Sequence, residues 1–143
     1  MSKKIKKTKV SKTSTPEIKP TTLKPRGISF SFKYYQDMHD KFSCNDKATV
    51  YWLTLLSRLK ALSGLSAQEL LANRSRALRF HPIKWEDTSE NRFGLPSEEQ
   101  LVDIPYQFSL SSNEHGRVHG FFIDEIFYVV WLDPDHLLYP AQG

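Results

Sequence analysis

The sequence predicts an α+β fold in which a first strand and a helical hairpin precede an antiparallel β-meander. Three patterns predict this order. Apolar and polar residues alternate over residues 28–32, apolar residues recur at helical spacing over residues 50–71, and strand-like stretches fill residues 106–132. A chain of 143 residues can bury one sizeable core but hardly two, so we expect residues 27–143 to form a single domain.

A basic tail, residues 1–26, precedes this domain. It holds nine lysine and arginine residues and one acidic residue, together with three prolines and five threonines. Such a composition buries too little apolar surface to offset the entropy of ordering, so the tail is predicted to be disordered. Residues 27–143 hold 11 basic and 15 acidic side chains, so the domain is acidic although the whole chain carries +4.

The lysines of the tail predict attraction to a polyanion such as RNA, because binding would release condensed counterions. A passive solubilising leader is the alternative. The candidate RNA-binding residues of the tail are Lys3, Lys4, Lys6, Lys7 and Lys9.

Several classes of protein are disfavoured by what the sequence lacks. Asp124 and Glu125 interrupt the longest apolar stretch, so no segment reaches the roughly 18 residues of a membrane-spanning helix. The basic N-terminus is not followed by the apolar segment of a signal peptide, which predicts a cytoplasmic protein with no membrane partner. The single cysteine, Cys44, excludes an internal disulfide, and no Cys/His group has zinc-finger spacing.

The helical hairpin is predicted from two segments separated by Gly64. Ser66 and Glu69 have capping-box spacing and open the second, shorter helix. Residues 86–103 are expected to be a loop with one helical turn at most, where Glu98 and Glu99 form a solvated pair. The apolar stripe predicted for the first helix consists of Val50, Leu53, Leu56, Leu59 and Leu62, widened by Tyr51, Trp52 and Leu55.

The C-terminal meander is predicted from strands over residues 106–110, 117–123 and 126–132, with Asp124 and Glu125 as a two-residue turn. Alternation along the strands divides their side chains between two faces. The face toward the helices is predicted to carry Val118, Phe122, Phe127, Val129 and Trp131. The other face is predicted to be a groove with a polar end that carries His115, Arg117, His119, Gln107 and Ser109. His136 and Tyr139 follow the last strand and can fold back toward that end.

Imidazoles beside a guanidinium are suited to cleaving RNA. A base removes the proton of a ribose 2′-hydroxyl, an acid protonates the leaving 5′-oxygen, and arginine stabilises the charge on phosphorus. Histidine suits both proton transfers because its pKa lies near neutrality, so the reaction requires neither a metal nor a cofactor. Two alternatives remain open: an ordinary solvated strand surface, and a divalent metal site at Asp133, Asp135 and His136.

The order of strand, helical hairpin and antiparallel meander resembles the RelE/ParE superfamily of bacterial toxins. In residues 106–139 the resemblance rests on Tyr106-Gln107-Phe108-Ser109-Leu110, a short connection over residues 111–116, Arg117-Val118, and Ile123-Asp124-Glu125 before an apolar strand. It implies a RelE/ParE-like domain. A RelE-like member would be a metal-independent endoribonuclease that cleaves mRNA, in partnership with the ribosome, and would be neutralised by a cognate antitoxin protein.

The resemblance also implies roles for particular residues. Arg117 matches the arginine that contacts the scissile phosphate, His136 a basic residue after the last strand, and Tyr139 a C-terminal tyrosine. Gln107 and Ser109 stand where some members have lysines, and are candidate RNA contacts. His115 and His119 are candidates to take over the lysines' roles, so the candidate catalytic set is Arg117, His119, His136, Tyr139 and His115. The alternative is the same fold used for binding alone, as a topoisomerase inhibitor or a non-catalytic partner in a regulatory or defence complex.

Overall fold

The computed structural model describes residues 26–72, 80–112 and 114–140, so the lysines of the tail lie outside the described residues. The strands in chain order are β1 (Ser29–Ser31), β2 (His81–Pro82), β3 (Pro105–Ser109), β4 (Arg117–Ile123) and β5 (Ile126–Asp133). The helices are α1 (Thr49–Leu62), α2 (Ala67–Ala72) and α3 (Glu98–Leu101), with a 3-10 turn at Trp85–Asp87. This is a mixed α+β fold, as predicted.

The strands form one five-stranded sheet in the order β1-β5-β4-β3-β2. β3, β4 and β5 are antiparallel neighbours, which confirms the predicted meander. Asp124 and Glu125 connect β4 to β5, and Asp124 has a φ of 54°, a value suited to a two-residue hairpin turn. β1 adds to β5 in parallel, so the sheet as a whole is mixed.

One face of the sheet packs against α1 and α2. The core on this side is apolar and rich in aromatic rings, and Phe80 stacks on Phe108 with ring centroids 5.4 Å apart. Its sheet residues follow the alternation expected for the helix-facing side, with Phe127 fully buried. Its principal buried members are Ile28, Tyr51, Leu55, Leu62, Leu70, Phe80, Tyr106, Phe108, Leu110, Val118, Phe127, Val129 and Leu132.

The predicted apolar stripe of α1 is wrong at Leu53 and Leu56, which do not face the core. The helix buries Tyr51, Leu55 and Leu62, whereas Leu53 is 59% exposed and Leu56 is 61% exposed. Both sets recur at helical spacing, so periodicity alone cannot decide which of them faces the core. Packing against the sheet selects the face that carries Tyr51, Leu55 and Leu62, which share one core with the sheet residues.

The capping box that begins α2 is confirmed. The N–H of Glu69 donates to Ser66 Oγ at 3.1 Å, and the N–H of Ser66 donates to Glu69 Oε1 at 2.8 Å. The N–H of Ala67 donates to Glu125 Oε1 at 3.0 Å. The start of α2 is thereby joined to the turn between β4 and β5.

The opposite face of the sheet is a second core, so the predicted open groove along it is wrong. Residues 34–42 and 83–102 cover this face, and Trp131 is 1% exposed beneath them. Phe42 stacks on Trp131 with ring centroids 4.4 Å apart, and Trp131 Nε1 donates to Gln36 Oε1 at 2.6 Å. The buried residues of this core are Phe42, Ile83, Phe93, Leu95, Phe121, Val130, Trp131 and Leu138.

A β-bulge in β5 places Trp131 on this second face, which corrects its predicted position. His119 pairs with Trp131 while Gly120 pairs with Val129, so Val130 is an extra residue that shifts the alternation. A Cβ at Gly120 would lie 2.0 Å from the Tyr128 carbonyl oxygen. The bulge therefore depends on glycine at this position.

A buried carboxylate organises the loop that covers the second core. Glu98 Oε1 accepts the N–H groups of Gly94 at 2.8 Å and Leu95 at 2.9 Å, and Oε2 accepts the N–H of Phe93 at 2.9 Å. Glu98 is 9% exposed, whereas Glu99 is exposed. The two residues are not the solvated pair that the sequence predicts, because Glu98 supplies acceptors to three loop amides.

Candidate functional site

Three of the predicted catalytic residues line one pocket. His115 and Arg117 come from the connection between β3 and β4 and from the start of β4, and His136 comes from the turn after β5. The pocket has a volume of about 380 Å³. Its lining residues are Ser112, His115, Gly116, Arg117, Pro134, Asp135 and His136.

The backbone around this pocket is unusual. His115 has a φ of 67°, Gly116 of 69° and His136 of 58°. Non-glycine residues rarely adopt this left-handed region, so surrounding contacts must hold both histidines there. A Cβ at Gly116 would lie 1.9 Å from the Asp133 carbonyl oxygen, which shows how closely the two walls approach.

The pocket lining holds one permanent cation and one carboxylate. Arg117 is 8% exposed, lines the pocket and donates from Nη1 to the Gly116 carbonyl oxygen at 3.2 Å. Asp135 also lines the pocket, but its Oδ1 accepts a hydrogen bond from Lys47 Nζ at 2.8 Å, which offsets its charge. The arrangement suits an anionic group such as a phosphodiester.

His119 lies behind the pocket and is fully buried. Its Nε2 is 3.0 Å from Asp133 Oδ2. Burial lowers the pKa of His119, and the hydrogen bond to Asp133 only partly opposes this. Desolvation by burial would raise the pKa of Asp133, but the hydrogen bond from His119 and those from the Leu137 and Leu138 amides outweigh it and lower that pKa. A neutral imidazole therefore donates from Nε2 to an ionised carboxylate.

This burial corrects the position predicted for His119 on a groove surface. A side chain that reaches neither solvent nor the pocket lining cannot exchange a proton directly with a substrate there. Its acidic partner, Asp133, was not among the site residues that the resemblance implied. The sequence signal that singles out Asp133 is its position before Pro134 at the end of a strand, since aspartate before proline favours a turn.

Gln107 and Ser109 are also buried, at 3% and 0% exposure, so their predicted role as RNA contacts is not compatible with this structure. They pair across the sheet with His119 and Arg117, which are themselves buried. Gln107 Nε2 lies 3.0 Å from His81 Nε2 at the edge of the sheet. Within the described residues, Gln107 Oε1, Ser109 Oγ and His119 Nδ1 are buried atoms without a hydrogen-bond partner.

Tyr139 lies in a neighbouring pocket. That pocket has a volume of about 1060 Å³, and Tyr139 Oη accepts the N–H of Lys84 at 3.0 Å. Asp135 and His136 line both pockets, so His136 stands at the border between them. The larger pocket is lined by Glu86, Asp87, Thr88, Asp135, His136, Tyr139 and Pro140.

The residues suggested for a metal site do not form a ligand set. Asp133 is turned inward to His119, whereas Asp135 pairs with Lys47 at the surface. In residues 26–72, 80–112 and 114–140, no three His, Cys, Asp or Glu side chains are grouped so that they could hold a metal ion.

Comparison of the chain with protein-family models, with curated proteins and with solved structures gives no match. Across the described parts of the chain, no helix is both long and apolar enough to cross a membrane.

Proposed function

We propose that this chain is a RelE-like toxin, a metal-independent endoribonuclease that cleaves mRNA, with the ribosome and a cognate antitoxin as partners. One observation carries the proposal: His115, Arg117 and His136 line the same pocket. These are two groups able to transfer protons and one permanent cation, which is the set that cleavage of a phosphodiester by its own 2′-hydroxyl requires.

In the proposed reaction, the imidazole of His115 or His136 accepts the proton of the ribose 2′-hydroxyl. The 2′-oxygen attacks the adjacent phosphorus, and the bond from phosphorus to the 5′-oxygen breaks. The other histidine begins as the protonated imidazolium and donates its proton to that leaving oxygen, while Arg117 stabilises the charge that develops on the phosphoryl oxygens. The products are a 2′,3′-cyclic phosphate and a free 5′-hydroxyl.

The burial of His119 decides which histidines are assigned to proton transfer. Of the predicted candidates, His136 and His115 line the pocket, whereas His119 does not. Tyr139 borders the adjoining larger pocket. In the proposal, its ring stacks on a base next to the cleaved phosphate. In the proposal, His136 therefore lies between the site of reaction and a site for the neighbouring nucleotide.

The test is cleavage of a short RNA by the purified protein, together with mapping of mRNA 5′ ends after induction in cells. His136→Gln and His115→Gln should each slow cleavage by about 100-fold or more, because each removes a proton-transfer group. Arg117→Lys should also slow it, since a point charge replaces the planar guanidinium. His81→Gln, on the exposed edge strand, is the matched control and should cleave like the wild type.

Two outcomes would contradict the proposal. The first is cleavage that His115→Gln and His136→Gln both leave unchanged. The second is an RNA with a 2′-deoxy substitution at the scissile position that is cut as fast as the normal RNA, because the proposed nucleophile would then be absent.

A second candidate function, binding without catalysis, is favoured by two observations. Gln107, Ser109 and His119 are buried, which leaves fewer polar groups at the pocket than the resemblance implies. The outer face of α1 also exposes apolar side chains, including Leu53 and Leu56, as a surface for a protein partner does. Growth arrest with no new mRNA ends, unaffected by His136→Gln and Arg117→Lys, would support this candidate, and a supercoiling assay would test a topoisomerase as the target.

A further inference from the structure

The carboxylate of Asp133 connects three parts of the fold. Its Oδ1 accepts the N–H of Leu137 at 2.7 Å, and its Oδ2 accepts the N–H of Leu138 at 2.9 Å. Oδ2 also accepts a hydrogen bond from His119 Nε2 at 3.0 Å. Through these bonds, one side chain at the end of β5 holds both the middle of β4 and the turn that follows β5.

That turn carries His136. The N–H of His136 donates to the backbone carbonyl of Asp133 at 3.2 Å, which closes a β-turn with Pro134 at its second position. The next two amides bond to the Asp133 carboxylate, so three successive N–H groups are held by one residue. The side chain of His136 is exposed on the outer side of this turn and lines both pockets.

The backbone of His136 requires such support. Its φ of 58° is in the left-handed region, which histidine adopts only at a cost in free energy. A conformation of this kind persists when surrounding contacts determine it. The carboxylate on the inner side of the turn supplies them, and His119 fixes the carboxylate because their side chains are 0% and 1% exposed and directly bonded.

We propose that Asp133 is a positioning residue for His136, and that His119 orients Asp133, so that the pair presets the imidazole of His136 at the border of the two pockets. The inference rests on the proposed function for its consequence in catalysis. The positioning of His136 by Asp133 and His119 does not depend on that function. Neither Asp133 nor His119 lines the pocket, so both act through the turn.

The decisive variant is Asp133→Asn. An asparagine has one acceptor oxygen and one NH₂ donor, so at least one of the Leu137 and Leu138 amides must lose its acceptor. Hydrogen exchange at one or both of these amides should rise by roughly tenfold or more, the effect of losing a hydrogen bond to a charged group. The ring resonances of His136 should shift, while amides of β4 and β5 stay protected. Asp135→Asn is the matched control for the exchange measurement, since Asp135 lies in the same turn but bonds to Lys47, and should leave exchange at Leu137 and Leu138 unchanged.

A pair of substitutions at His119 tests the orienting role separately. His119→Gln keeps an N–H donor, whereas His119→Phe fills the space without one. We expect His119→Phe to increase exchange at Leu137 and Leu138 and to shift the His136 resonances, and His119→Gln to restore much of the wild-type behaviour. Rescue by His119→Gln would show that His119 acts through its hydrogen bond to Asp133 and not only by filling space in the core. Both His119 variants can be measured even if Asp133→Asn does not fold.

In RNA cleavage, Asp133→Asn should lower kcat and leave KM close to that of the wild type, because the substrate-binding groups remain. Wild-type exchange at Leu137 and Leu138 in a folded Asp133→Asn variant, or unshifted His136 resonances, would overturn the positioning role. If His119→Gln and His119→Phe change exchange at Leu137 and Leu138 and the His136 resonances equally, the orienting role of His119 is overturned. If the wild type cleaves no RNA, the proposed function fails, and the exchange and resonance measurements still decide how His136 is held.

Discussion

His119 and Asp133 form a buried pair in which Nε2 lies 3.0 Å from Oδ2 and neither side chain reaches solvent. Burial lowers the pKa of His119. The hydrogen bonds that Asp133 accepts outweigh its desolvation and lower its pKa as well. Both shifts give the folded state a weaker affinity for protons than the unfolded state, so the pair makes stability depend on pH.

The first prediction concerns acid. In the unfolded chain His119 has its ordinary pKa of 6.5, so the unfolded state binds the proton first as the pH falls and stability decreases below that value. Asp133 adds a loss in the same direction below its ordinary pKa of 3.8. Urea unfolding between about pH 8 and pH 5 should show the first loss, with at most about 1.4 kcal/mol per pH unit from one proton. His119→Gln should decline less steeply over this range, and equal slopes would contradict the prediction.

The second prediction concerns the approach of Gly116 to Asp133. Gly116→Ala would place a Cβ 1.9 Å from the Asp133 carbonyl oxygen at a φ of 69°, so the walls of the pocket must separate. Gly94→Ala is the matched control, with a φ of 83° but no neighbouring atom within 4 Å. The control should cost about 1 to 2 kcal/mol of unfolding free energy from backbone strain alone. Gly116→Ala should cost at least about 2 kcal/mol more. Equal losses in chemical denaturation would show that the close approach is absent.

The third prediction separates two adjacent carboxylates. Glu98→Gln leaves fewer acceptors for the amides of Phe93, Gly94 and Leu95, and should reduce the unfolding free energy by about 1 to 3 kcal/mol. Glu99→Gln, at the neighbouring exposed position, should change it by less than about 0.5 kcal/mol. Thermal and urea unfolding of the two variants provide the measurement. A larger effect of Glu99→Gln would contradict the assignment of Glu98 as the organiser of the loop.

The fourth prediction concerns which face of α1 is buried. Leu55 is 5% exposed and Leu53 is 59% exposed, so the same substitution should destabilise the protein much more at Leu55 than at Leu53. Leu55→Ala should cost about 2 to 5 kcal/mol because it leaves a cavity in the core. Leu53→Ala should cost less than about 0.5 kcal/mol in the isolated protein. A reversed order would restore the stripe predicted from sequence periodicity.

The fifth prediction concerns the basic tail. A chain that begins at Gly27 lacks nine of the 20 lysine and arginine residues, so its affinity for RNA should fall and depend less steeply on salt. Its unfolding midpoint should match that of the full chain, since the predicted core lies in residues 27–143. Binding isotherms at several salt concentrations measure the slope. An unchanged slope would indicate that the tail is a passive leader.

The features that the sequence predicted correctly depend on a few neighbouring residues. The two-residue turn at Asp124 and Glu125 is confirmed, as are the antiparallel meander around it and the capping box of Ser66 and Glu69. Each signal acts within one turn of backbone, where local hydrogen bonding and side-chain alternation decide the conformation. The sequence also identified His115, Arg117 and His136, which line one pocket, but it did not separate them from His119.

By itself, then, the sequence determined the α+β class, the meander and the residue types available for chemistry. Only the tertiary structure decided which side chains are accessible. The bulge at Val130 moved Trp131 to the second face, and distant loops closed over His119 and turned an expected groove into a core. The physical reason is that burial depends on contacts between segments far apart in the chain, and one extra residue in a strand reverses the faces beyond it.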